Sequence, residues 1–199
     1  MFIRSLLKNH KLATFATSAH LTGLAEGGYA NNPSDAGGET FAGVSRKYWP
    51  NWPGWDIIDS VKEQTSSVQH LNSALIGNAD LTSQIASFYK SNFWDVNSLD
   101  QISNQEIANT VYDFGVNHGT IPAAKTLQQV CCDLENAGVL VIDGRIGQHT
   151  LDCVNSLPSF LVYNSYNSYR KSYYLTQAQH PGQHQFLTSW LSRLKPYMA

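Results

Sequence analysis

The chain has little charge. Only 14% of its 199 residues are Asp, Glu, Lys or Arg, and 13 basic residues nearly balance 15 acidic ones, for a net charge of −2. Nucleic-acid binders usually show a basic patch, so no nucleic acid is expected as a partner. Long hydrophobic runs are missing too. No stretch approaches the roughly 18 apolar residues that a spanning helix needs, so no stable membrane insertion is expected. Cysteine is scarce: Cys131, Cys132 and Cys153 are odd in number, two are adjacent, and none has paired zinc-ligand spacing. They read as small buried hydrophobes, with one disulfide from Cys153 as the other reading. His180 and His184 have the spacing of a zinc-binding helix, but Pro181 and Gly182 break such a helix and no glutamate follows the first histidine. No serine- or cysteine-protease constellation is legible. No cofactor is expected.

What is present is a globular composition, 42% hydrophobic, long enough for one domain or one domain with a small appendage. The first residues, Met1 to Leu21, are basic, and Thr17-Ser18-Ala19 resembles a cleavage site. Lys8, Asn9, His10 and Lys11 interrupt any apolar signal core, however. The segment reads as a first helix with Leu6, Leu7, Leu12, Phe15 and Leu21 as its apolar positions. A target outside the cytoplasm would then be reached by a route other than general export.

Most of the remaining chain has helical periodicity, which predicts a mainly α fold. Asp80 is placed to cap a helix with Leu81, Ile85, Phe88 and Tyr89 on one face. Ser103 to Glu106 has the capping-box pattern before a helix that turns Ile107, Val111, Phe114 and Gly115 inward. Thr120 and Pro122 open another, with Ala124, Leu127, Cys131 and Leu134 inward and Gly138 as its stop. Val139 to Ile142 reads as a short extended piece and Asp143-Gly144 as a turn. Helices follow over about 150–157 and 159–177, and the last shows Phe186, Leu187, Trp190, Leu191 and Leu194. A boundary is expected near Gly138, between a catalytic region, 1–138, and a C-terminal helical region, 139–199, packed on it or merged with it.

One stretch departs from helical periodicity. EGGYANNPSDAGGETFAGV, Glu26 to Val44, is rich in glycine and holds Glu26, Asp35 and Glu39 but no basic residue. It reads as a loop or short hairpin. Glycines allow positive φ and close backbone approach. Glu26 follows the apolar Leu21 and Leu24 and precedes Tyr29, a setting that raises a carboxyl pKa and keeps it protonated, as a general acid requires. Asp35 lies in a polar turn and would stay ionised. Two carboxyls in unlike settings are what glycoside hydrolysis uses. The hydroxyl of Thr40 is placed to hold an attacking water. An acidic surface turn is the plainer reading, and a calcium loop is a weaker one, since alternating oxygen ligands are missing.

The residues Glu26-Gly27-Gly28-Tyr29, Asn32-Pro33, Asp35, Gly37-Gly38, Glu39-Thr40 and Gly43-Val44 together resemble the signature of family 108 of the glycoside hydrolases, the N-acetylmuramidases of phage endolysins and bacterial lysozyme-like proteins. Phe88-Tyr89-Lys90 with Phe93-Trp94-Asp95, Val111 to Gly119, and Leu127-Gln128 with Asp143 to Gly147 and Thr150 extend the resemblance over most of the chain. It implies a lysozyme-like helical fold and a small Gly-rich hairpin that carries the active site. It further implies cleavage of the β-1,4 bond after N-acetylmuramic acid and a peptidoglycan-binding C-terminal region; whether the enzyme inverts or retains follows from the separation of the two carboxyls, and analogy with the phage enzymes favours inversion. Glu26 falls on the catalytic glutamate. Asp35 and Thr40 match the order of the wider phage lysozymes, with the Asp-to-Thr interval one residue shorter, and Glu39 is a rival second carboxylate.

Tyr29, Glu39 and Asn117 are the expected sugar contacts, against a core ring for Tyr29 and a helix cap for Asn117. The segment 46–78 is longer than the family's usual connection; its Trp49, Trp52 and Trp55 either pin the loop to the body or form a sugar platform. Tyr163, Tyr166, Tyr169, Tyr173 and Tyr174 read as helix packing and polar-tipped surface, with a glycan platform as the other reading. Ser189-Trp190 replaces the family's usual Gly-Trp.

The expected partner is the peptidoglycan glycan strand. Two routes fit a protein made in the cytoplasm that acts at the wall: an endolysin released by a holin, or an effector with a secretion-system carrier and a cognate immunity protein. A non-catalytic wall-binding module is the alternative, which an intact Glu26 and glycine framework argue against. A wall amidase inhibited by an immunity protein is another, but it would need a metal or a nucleophile. Asp35→Asn is expected to lower turnover on peptidoglycan more than Glu39→Gln does; the reverse order would make Glu39 the second carboxylate.

Overall fold

The computed structural model describes residues 12–22, 27–31, 37–65, 67–135 and 140–198. It is mainly α: among the described residues there are nine α-helices, a few short 3-10 and π turns, and one three-stranded sheet. The chain divides by its contacts into two units, one formed by Ala19–Asn92 and the other by the described residues before and after that span.

In the second of these, helix α1 (Phe15–Thr22) begins with Phe15 set edge-on against Trp94 and Tyr112. Leu12 and Leu21 are exposed, so the apolar face expected of this segment is carried by Phe15 among the described positions; Leu6 and Leu7 lie outside them. Helix α5 (Gln105–His118) starts at Asn104, whose Oδ1 accepts the Ile107 N–H at 3.0 Å. The expected capping box does not form, because the Ser103 N–H is taken by Asn155 Oδ1 at 2.8 Å, leaving the cap to its neighbour.

The predicted faces are correct except at Leu134, which is only half-buried. Ile107, Val111 and Phe114 of α5 are fully buried, as are Ala124, Leu127 and Cys131 of α6 (Thr120–Glu135). α5 and α6 pack on each other, and both pack on α8 (Ser159–Gln177), while α7 (Gln148–Ser156) packs on α6. The helices on either side of the boundary expected at Gly138 therefore share one unit; Gly138 itself lies outside the described residues. Leu140–Ile142 forms no strand, and Val141 is exposed. The Asp143-Gly144 turn is gripped instead by one side chain. Gln128 accepts the Gly144 N–H at 2.9 Å and donates to Asp143 Oδ1 and the Arg145 carbonyl. Cys131 and Cys153 are buried free thiols, as read from the sequence. Tyr163, Tyr166 and Tyr174 are buried on α8, and α9 (Leu187–Ser192) closes the chain.

A charge network crosses this core. Arg170, only 1% exposed, donates to Asp113, Thr110 and the Tyr174 hydroxyl, and Arg193 binds the second Asp113 oxygen at 2.7 Å. Burial works against the Arg170 charge, but Tyr174 and Asp113 outweigh it and raise the pKa. His118, packed among Phe114, Tyr173, Tyr174 and Trp190, is pushed down to about 4, chiefly by burial and then by Arg170, so it is neutral at physiological pH.

In the unit Ala19–Asn92, α2 (Gly54–Gln64) packs on α3 (Val68–Ile76) and α4 (Ala79–Tyr89). The cap of α4 is Asn78, which accepts the Leu81 N–H at 2.9 Å; the expected cap, Asp80, sits in the first turn. Leu81, Ile85, Phe88 and Tyr89 are buried as predicted. Among the described residues no helix is long and apolar enough to cross a membrane.

Asp113→Ala leaves the Arg170 guanidinium buried without its carboxylate. It should cost about 3 kcal/mol in urea unfolding at pH 7, and adding Arg170→Met should recover part of that loss.

Candidate active site

The glycine-rich stretch folds as an antiparallel sheet in the order β1 (Tyr29–Asn31), β2 (Glu39–Phe41), β3 (Val44–Ser45). Tyr29 pairs with Phe41, Ala30 with Thr40, Asn31 with Glu39, and Phe41 with Val44 across the second turn. That turn has only Ala42 and Gly43 between the paired residues, both at positive φ (47° and 77°), as a two-residue turn matched to strand twist requires. Gly43 has a second reason to be glycine: a Cβ there would sit 2.5 Å from the Tyr89 hydroxyl. That hydroxyl donates to the Ala42 carbonyl at 2.8 Å, holding an alanine in a conformation it disfavours.

The sheet pins the chain next to each expected catalytic carboxyl. The Ala42 N–H donates to the Gly27 carbonyl at 3.0 Å, one residue after Glu26. Ser45 Oγ donates to the Gly37 carbonyl at 2.7 Å, two residues after Asp35. Asn72 of α3 accepts the Tyr29 N–H at 2.6 Å and crowds Gly28, where a Cβ would meet its Oδ1 at 2.8 Å. Glu26 and Asp35 themselves lie outside the described residues.

Glu39 is the centre of the charged side chains here. Its Oε1 accepts from the Tyr29 hydroxyl and from Lys62 Nζ, both at 2.8 Å. Its Oε2 lies 2.7 Å from Arg46 Nε, an ion pair whose angle falls short of a hydrogen bond. Arg46 in turn holds Asp59 with two parallel bonds of 3.0 and 2.7 Å, and its guanidinium covers the Trp55 ring. Burial alone would raise the Glu39 pKa. The bonds from Lys62 and Tyr29 and the charge of Arg46 outweigh it and hold the carboxyl below its ordinary value. Lys62 is raised, chiefly by its bond to Glu39, and Tyr29 is raised by burial and then by its bond to Glu39. Glu39 is thus an ionised carboxylate with both oxygens held, and Tyr29 is a buried ring with its hydroxyl engaged.

Thr40 is different. Strand alternation puts it on the face opposite Glu39 and Phe41. It is half-buried, and its hydroxyl makes no bond among the described residues. Asn117 lies in the other unit, at the end of α5, where its Nδ2 donates to the Asp113 carbonyl at 2.7 Å. It is neither the cap nor a bare amide: Gly119 takes the cap position, at φ 98°. Of the six expected site residues, the structure joins Tyr29 to Glu39 and sets Thr40 on the same sheet.

Sequence reasoning missed Arg46, Asp59, Lys62, Asn72 and Tyr89. Asp59 and Lys62, three apart on α2, carried a faint signal as a charged helix face; the reach of Tyr89 and Asn72 to the hairpin carried none. The tryptophans divide. Trp52 and Trp55 are buried and pin the segment, while Trp49 stays largely exposed.

A mainly helical fold with a small antiparallel sheet, threaded by a glycine-rich segment that carries acidic and hydroxyl groups, is the frame of a lysozyme-like glycoside hydrolase. The sequence model of glycosyl hydrolase 108 matches residues 20–119, just over half the chain, and the protein belongs to that family. It is a glycoside hydrolase of a peptidoglycan-degrading family. The solved structure of SagA from Brucella abortus is similar in fold, with a TM-score of 0.59 and 23% identity over 90% of this chain and 88% of that one. A comparison with the curated proteins gives no match.

Because its folded pKa is depressed, Glu39 contributes its full stabilisation above the ordinary 4.5 and loses it as pH falls through the lower folded value. Glu39→Gln should therefore lower stability by about 1–3 kcal/mol at pH 7. The gap to wild type should hold down to about pH 5 and narrow below it, as read from unfolding midpoints across pH.

Proposed function

We propose that the protein is an N-acetylmuramidase that cleaves the β-1,4 bond between N-acetylmuramic acid and N-acetylglucosamine in peptidoglycan. The observation that supports this is the anchoring of the hairpin at Gly27 and Gly37, which follow Glu26 by one residue and Asp35 by two. Glu26 is the general acid that protonates the leaving oxygen. Asp35 supports the developing oxocarbenium charge or activates water, and Thr40 offers the hydroxyl that orients that water. The engagement of Glu39 with Lys62 and Arg46 supports this division, because a carboxylate with both oxygens held by cations is a poor acid and a poor base. Tyr29 and Glu39 then serve the site by fixing β1 to β2 and α2. Positioned acid–base help of this kind contributes about 10²–10⁴-fold.

The substrate lies outside the cytoplasmic membrane, so the enzyme works at the wall. It reaches it as an endolysin released through a holin pore or as an antibacterial effector of a contact-dependent secretion system. The second route calls for an immunity protein that plugs the cleft.

Digestion of purified peptidoglycan tests the assignment. Wild type should release fragments that end, after borohydride reduction, in reduced N-acetylmuramic acid by mass spectrometry, and Glu26→Gln should release none while keeping the wild-type fold by circular dichroism. Free peptides without new reducing sugar would make the protein an amidase or peptidase. Lysis by Glu26→Gln near the wild-type level would remove Glu26 from the mechanism.

A further inference from the structure

The segment that follows β3 builds a second feature in the unit Ala19–Asn92. An open groove of about 430 Å³ runs between Tyr48–Pro53 and the outer side of α4 and the turn after it. Its most prominent wall is Trp49, 40% exposed, beside the exposed Tyr48. A tryptophan left in water on a surface loop is normally free to collapse or to swing, but this one is held on three sides. Its N–H donates to the Ser45 carbonyl at 2.9 Å. Its own carbonyl accepts the buried Trp55 indole N–H at 2.8 Å. Its ring meets Phe88 edge-on, with centroids 4.9 Å apart and planes at 87°. Trp52 and Trp55 pack at right angles beneath. The backbone at Trp49 is therefore fixed and its ring is braced on Phe88, while the indole N–H makes no hydrogen bond among the described residues.

The rest of the lining has one chemical character. None of the groove's side chains is charged. The polar ones are amides and hydroxyls, among them Asn51, Gln84 and Ser91, whose side chains make no hydrogen bond among the described residues. Asn92 donates from Nδ2 to the Phe88 carbonyl at 2.8 Å, which orients its amide and leaves the other oxygen lone pairs available. A fixed aromatic face beside amides that can both donate and accept suits a neutral, hydroxylated ring. The ring's apolar C–H face stacks on the indole, and its hydroxyl and acetamido groups bond the amides. A peptide or anionic partner would call for charges that the lining does not have. The groove's wall is tied to the sheet, since the Tyr48 and Trp49 backbone N–H groups both donate to the carbonyl of Ser45, the last residue of β3.

We propose that this groove is a remote glycan subsite that stacks an N-acetylhexosamine ring of the substrate strand on Trp49. The proposal rests on the muramidase reading for the identity of the strand, and adds a site that takes no part in bond cleavage. Binding that is equal in the ground and transition states holds the polymer without changing the chemical step, so at a subsite of this kind its loss belongs in KM on long strands and not in kcat.

The test uses the full chain with Glu26→Gln as background, so that binding is read without cutting. N,N′,N″-triacetylchitotriose is titrated while ¹H–¹⁵N spectra are recorded. The Trp49 indole N–H and the Gln84 and Asn92 amide signals should shift, and Trp49→Ala should weaken the affinity by about tenfold or more. Gln84→Ala, which removes no packing anchor, should weaken it as well. In the cleaving enzyme, Trp49→Ala should raise KM on intact sacculi with kcat nearly unchanged. Shifts confined to residues 27–45, or equal affinity in wild type and both variants, would overturn the subsite. The two readings fail separately: lysis by Glu26→Gln would sink the catalytic assignment while the chitotriose shifts still report on the groove, and digestion that depends on Glu26 with no response at Trp49 would sink only the groove.

Discussion

Glu39 is the interaction on which the hairpin region depends. Three strands of two or three residues have too few ladder bonds to be stable alone. One carboxylate supplies what the ladder lacks. It ties β2 to β1 through Tyr29, to the exit of β3 through Arg46, and to α2 through Lys62, and Asp59 closes the ring behind the two cations. Tyr89 and Asn72 add hydrogen bonds from α4 and α3, so that every helix that packs in this unit holds the sheet at one point.

This arrangement makes the Glu39 charge a permanent support. An ionised carboxylate ringed by cations contributes most when it never changes its charge, whereas an acid–base catalyst must. The permanent anion lies on one face of β2, and Thr40, with its pairing partners Ala30 and Ser45, lies on the other. The positive φ of Ala42 belongs to the same logic. A disfavoured backbone persists because the Tyr89 hydroxyl and the Gly27 carbonyl hold both sides of that peptide, and the beneficiary is the residue after Glu26. The family match spans the hairpin together with the helices that hold it.

In the other unit the supporting role falls to Asp113, which binds one arginine buried in the core and a second near the chain end. It also sets the fate of Asn117. A side chain read from the sequence as either a sugar contact or a cap is turned along its own helix toward the Asp113 carbonyl, since a helix places residues four apart on one face.

Much of this organisation is legible in the order of residues alone. Spacing of apolar residues located α4, α5 and α6 and the faces they bury, because a helix core face repeats locally every three to four residues. Glycine and turn chemistry marked the stretch from Glu26 to Val44 as non-helical, and its motif pointed to the family. Caps were read one or two residues off, at Asp80 and Ser103, because a neighbour with the better-placed side chain or a distant amide decided between adjacent candidates. Only the tertiary structure decided which carboxylate is bound by cations, which tryptophan stays in water, and which distant hydroxyl and amide grip the hairpin. Those outcomes depend on contacts between residues tens of positions apart, such as Tyr89 with Ala42 and Lys62 with Glu39, and no local periodicity in a chain encodes what will meet it across the fold.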